Sequence, residues 1–72
     1  LVIDINSDNQ EKIDIALLND EGKLIKYETF YLLKGSNIIR LYPKKDNKLN
    51  PGIYFLRIKS LKNESVFKLL II

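Results

Sequence analysis

Apolar residues along the chain come in short alternating runs, rich in β-branched and aromatic side chains and closed by Gly, Pro, Asn or Asp, which is the pattern of β-strands. Leu1, Ile3 and Ile5 alternate against Val2 and Asp4, and Ile13, Ile15 and Leu17 against Asp14, Ala16 and Leu18. The polar cluster Asn6-Ser7-Asp8-Asn9 between them predicts a turn that joins these two strands as a hairpin. Asn19-Asp20-Glu21-Gly22 predicts a second hairpin, with Gly22 available for positive φ. Lys23 to Leu33 reads as extended, with Tyr27, Thr29 and Tyr31 on one face, Phe30 and Leu32 on the other, and a bend or change of sheet within it. Lys34-Gly35-Ser36-Asn37 reads as a turn, and Ile38 to Tyr42 as a strand that Pro43 ends by removing a backbone donor. Residues 44 to 50 read as an exposed polar loop anchored by Leu49. Ile53 to Ile58 is the strongest strand, with Tyr54, Leu56 and Ile58 on one face. It pairs in a hairpin with Val66 to Ile72, where Phe67, Leu69 and Ile71 alternate against Val66, Lys68, Leu70 and Ile72.

Six to seven strands with turns at short intervals and no crossover helix predict an all-β fold, an immunoglobulin-like antiparallel β-sandwich, and exclude parallel α/β architectures. At 72 residues there is room for one domain with one thin core. Cysteine and histidine are both absent, so neither a disulfide nor a His/Cys zinc site can staple that core. Leu1-Val2-Ile3 at one end and Leu69-Leu70-Ile71-Ile72 at the other have the apolar character of strands cut within a larger protein. The expectation is therefore a single sandwich domain over residues 1–72, the C-terminal part of a larger exported protein.

Charge and candidate chemistry narrow the function further. The net charge of +3 is unevenly spread: Asp4, Asp8, Glu11, Asp14, Asp20 and Glu21 face only Lys12 among the first 21 residues, whereas basic residues dominate the remainder. In a sandwich these two sets can meet and partly neutralise each other on the surface. Without histidine or cysteine, nucleophilic triads and most neutral-pH acid–base chemistry lack their usual groups, so no enzyme, no catalytic residue and no cofactor is expected. Asp4 to Ile15 resembles the start of a calcium loop, but Asn9 stands where a glycine belongs and Ile15 where a bidentate glutamate must close the shell, so no metal site is expected. Lys44, Lys45 and Lys48 beside Tyr42, with Arg57 and Lys59, could form a basic nucleic-acid patch. The aromatic residues fall at core spacing instead, and no nucleic acid is expected.

The most specific segment is Leu49-Asn50-Pro51-Gly52-Ile53-Tyr54-Phe55-Leu56-Arg57-Ile58. Physically it has the form of a tyrosine corner: Leu49 plugs the core, Pro51-Gly52 turns the chain, and the Tyr54 hydroxyl reaches back to upstream backbone. Together with the opening Leu1-Val2-Ile3-Asp4-Ile5, the hairpin from Ile15 to Ile25 and the segment Gly35 to Leu41, it resembles the C-terminal sorting domain (type A) of type IX (Por) secretion cargo in Bacteroidetes, over nearly the whole chain. The resemblance implies a secreted or cell-surface cargo that passes through the periplasm and is recognised by outer-membrane translocon, shuttle and sortase proteins, with no direct membrane insertion. By matching positions it singles out Pro51, Gly52, Tyr54 and Lys68 as sorting-motif residues. Dimerisation through strand edges is a further expectation. The alternative reading is a generic immunoglobulin- or fibronectin-like accessory module, or a carbohydrate-binding module, of a secreted enzyme.

Overall fold

The computed structural model describes residues 1–43 and 49–72. They form six strands and no helix: β1 Val2–Ser7, β2 Glu11–Asn19, β3 Leu24–Leu32, β4 Gly35–Arg40, β5 Gly52–Lys59 and β6 Glu64–Ile71. All pairings are antiparallel, in a two-stranded sheet β1-β4 and a four-stranded sheet β3-β2-β5-β6. The expected immunoglobulin-like sandwich is thus present, with the core between the sheets. Ile39 and Leu41 from the smaller sheet and its extension meet Ile13, Ile15, Leu17, Leu32, Tyr54 and Leu56 of the larger one.

Two hairpins are local. Between β2 and β3 the Asn19 side-chain carbonyl accepts from the amides of Glu21 (2.9 Å) and Lys23 (2.8 Å), and Gly22 takes φ 81°. A short side chain thus satisfies two turn donors, and glycine supplies the left-handed residue without steric cost. β5 and β6 form the other hairpin.

The first expected hairpin does not form. β1 pairs with β4, from Val2 opposite Arg40 to Ser7 opposite Gly35, and the Asn6–Asn9 cluster helps carry the chain from one sheet to the other. Alternation reports which residues share a face; it does not report which strand supplies the partner. The crossing is held by the buried Ser7 hydroxyl, 2.6 Å from both the Asn9 carbonyl and a Glu11 carboxylate oxygen. Gly35 and Ser36, expected in a turn, open β4. Asn37 makes that early start feasible: its side chain accepts from the Leu33 amide (2.9 Å) and donates to the Leu33 and Gly35 carbonyls (2.8 and 3.0 Å).

The bend expected between Lys23 and Leu33 is a β-bulge, and the strand stays in one sheet. Leu17 pairs with Lys26 but Leu18 with Leu24, so Ile25 has no opposite number. The extra residue turns Ile25 toward the core while Leu24 faces outward, which resolves two consecutive apolar residues in one strand. Of the loop expected at residues 44 to 50, Leu49 packs against the core as anticipated; residues 44–48 lie outside the described residues.

Candidate functional site

The corner before β5 is built as its sequence indicates. Pro51 is exposed at the approach, Gly52 opens the strand at φ 152°, and the buried Tyr54 donates its hydroxyl proton to the Asn50 carbonyl at 2.7 Å. A side chain at Gly52 would meet no neighbouring atom, so glycine is demanded by the backbone, in a region that other residues enter only at about 1–3 kcal/mol. Tyr54→Phe keeps the buried ring and deletes one hydrogen bond. It is expected to lower stability by about 0.5–1.5 kcal/mol in urea unfolding, and an unchanged midpoint would mean that the bond contributes nothing.

Lys68 lies apart from this corner. It sits opposite Phe55 in the β5–β6 ladder, on the face turned away from the core, whereas Tyr54 and its opposite Leu69 face inward. The structure therefore groups Pro51, Gly52 and Tyr54 at the start of β5 and presents Lys68 on the outer surface.

That surface is more apolar than a solvated sheet face needs to be. The ladder places Ile53 opposite Leu70, Phe55 opposite Lys68 and Arg57 opposite Val66, and on the neighbouring strand Leu18 is opposite Phe55. Val66 is 60% and Leu70 68% exposed, with Leu24 and Tyr27 exposed nearby on the β3 side. The sign of this patch was available in the sequence: β6 carries apolar residues on both alternating faces, yet an edge strand of a thin sandwich can bury only one.

Among the described residues, the polar side chains form local pairs. Asp14 stands directly opposite Lys59 across β2–β5, which joins the acidic first part of the chain to the basic remainder. The Thr29 hydroxyl donates to Asp14 at 2.7 Å and is the main reason its carboxyl titrates below the usual carboxylate range; the Tyr27 hydroxyl, Lys12 and Lys59 act in the same direction, and burial opposes them. Because the folded-state value is depressed, this contribution to stability is present above the unfolded-state pKa and is lost as pH falls through the folded-state pKa. Thr29→Val should raise the Asp14 pKa toward its ordinary value in a carboxyl-detected NMR titration; no movement would show that the hydroxyl is not its main partner. Arg57 and Glu64 approach to 3.7 Å at exposed positions, and Lys26 and Glu28 to 3.9 Å at half-buried positions on the edge strand β3; such solvent-screened pairs contribute little. Among the described residues no group of acidic side chains is arranged to hold a metal ion, and no helix is long and apolar enough to cross a membrane. Lys44, Lys45 and Lys48 of the basic-patch reading lie outside the described residues.

A family model described as the secretion system C-terminal sorting domain matches residues 1–72, the whole chain. The chain belongs to that family. The sorting domain is the signal for type IX secretion and directs export across the outer membrane to the cell surface or the medium, through interaction with the type IX machinery. Its family role is that of a secretion signal, and the accessory or carbohydrate-binding reading has no support. No curated protein and no solved structure matches the chain.

Proposed function

We propose that residues 1–72 act as one folded sandwich at the C-terminal part of a larger exported protein, read as a surface by the outer-membrane translocon, shuttle and sortase proteins of the type IX system, and that the domain catalyses nothing itself. The observation that carries this reading is the division of labour among the four motif residues. Pro51, Gly52 and Tyr54 set the corner and fix where β5 begins, so their contribution to sorting runs through the shape of the domain. Lys68 is exposed on the outer face, in the middle of an apolar strand, where a partner can reach it. Strand edges also leave room for a dimer, a lesser reading that rests on the open edge of β6 alone.

The test separates shape from contact. Lys68→Glu should leave the thermal midpoint within a few degrees of the parent, since exposed substitutions usually change stability by less than about 0.5 kcal/mol, and should reduce export of a fused reporter several-fold. Tyr54→Phe should affect export only as far as it lowers stability. Normal export of the Lys68→Glu reporter would remove Lys68 from the recognition surface.

A further inference from the structure

Among the described residues, six strands in two open sheets leave four edges, and three of them are blunted. β3 points the charged Lys26 and Glu28 to the inner side of its sheet and carries the bulge at Ile25. β1 and β4 are short, six residues each; β1 carries Asp4, and β4 opens on Gly35-Ser36-Asn37, with Asn37 tied to the preceding turn. Short length, bulges, inward charges and edge charges, lysine above all, are the usual protections of a sheet edge.

Of these β6 carries only outward-facing charges, Glu64 and Lys68: it is eight residues long, with no bulge and no inward-facing charge. Its register with β5 is regular from Gly52 opposite Ile71 to Lys59 opposite Glu64, and among the described residues it pairs on one side only. From Val66 onward it reads Val-Phe-Lys-Leu-Leu-Ile-Ile, without proline or glycine and with one charge. Phe67 lies on the inner side, opposite the buried Leu56, yet is itself 50% exposed, so the two-stranded sheet does not cover this end of β6. A long, regular and largely apolar edge of this kind is a template for pairing with another strand.

We propose that β6 is a strand-addition site, and that its occupant is an extended segment of a partner protein with an acidic residue opposite Lys68, flanked at alternate positions by aliphatic residues opposite Val66 and Leu70. This rests on the sorting reading above and adds to it the chemistry of the partner. Main-chain groups of β6 would supply affinity and the alternating side chains specificity, as in other β-augmentation complexes. The acidic residue follows from charge: Glu64 is engaged by Arg57, and among the described residues no carboxylate pairs with Lys68. A partner protein is favoured over a lipid surface because only a polypeptide can satisfy the row of unpaired N–H and C=O groups. It is favoured over a second copy in two-fold register about Lys68, because that pairing sets two lysines opposite each other, and like charges directly opposite are destabilising.

The probe is the acetylated peptide Ser-Thr-Val-Thr-Glu-Thr-Val-Thr-Ser, whose palindrome sets Glu opposite Lys68 in either strand direction. Added to the 72-residue chain, it should slow hydrogen exchange of β6 amides in NMR spectra. Replacing its Glu by Lys should weaken binding by about 1.5–5-fold, and Lys68→Glu in the domain should restore binding of that lysine peptide by a similar factor. No added protection from the Glu peptide would overturn the proposal. So would protection of the same amides by anionic phospholipid vesicles or by raised domain concentration, with the peptide inert. Export of a reporter carrying residues 1–72 is read separately: export without peptide binding sinks strand addition alone, and peptide binding without export sinks the sorting reading alone.

Discussion

Leu17→Ala should lower the thermal midpoint by at least about 10 °C or leave no cooperative transition. Leu17 is 0% exposed on a central strand, opposite Lys26 of β3 and Leu56 of β5, so the vacated volume cannot collapse from either side. Leu→Ala at such a site costs about 2–5 kcal/mol. Typical values per residue put a domain of this size at roughly 4–11 kcal/mol in total, and each kcal/mol moves the midpoint by about 4–8 °C. The same substitution at Leu61, which is 99% exposed in the β5–β6 turn, should change stability by less than about 0.5 kcal/mol. Similar shifts at the two positions would mean that Leu17 is not in the core. Because the folded surface is what the machinery is proposed to read, export of a Leu17→Ala cargo should fall together with its folded fraction.

Removing Val66 to Ile72 should leave cargo in the periplasm. The truncation takes away seven residues that hold Leu69 and Ile71 against the core, carry Lys68 and half of the outer apolar patch, and cover the edge of β5. It acts on packing and on recognition at once. Fractionation of cells expressing the truncated cargo should find it intact in the periplasm and missing from the medium and surface. Delivery of the truncated cargo at the level of the parent would place the signal in the first five strands.

Much of this was legible in the chain itself. The faces of β2, β5 and β6, the anchoring role of Leu49 and the Tyr54 hydroxyl bond followed from alternation and from the chemistry of one short segment. Partnership was harder to read, because Leu1 to Ile5 and Ile13 to Leu17 alternate as a hairpin would, while the chain between them crosses to the other sheet on the Ser7 and Glu11 side chains. The bulge at Ile25 left its trace as a broken alternation, Leu24 next to Ile25, which fixed the place and not the form of the irregularity. The outer patch is only half legible for a related reason. Ile53, Phe55, Val66 and Leu70 read as strand residues at sequence level, and only the strand order shows that nothing in the described chain covers them.

The most direct measurement of sorting is the destination of an inert fluorescent reporter carrying a signal peptide and residues 1–72, expressed in a Bacteroidetes host with and without a working type IX translocon. Delivery to the surface or medium in the competent strain, with periplasmic retention in the deficient one, is the predicted result. The same folded reporter held in the periplasm of both strains, or released from both, would contradict it.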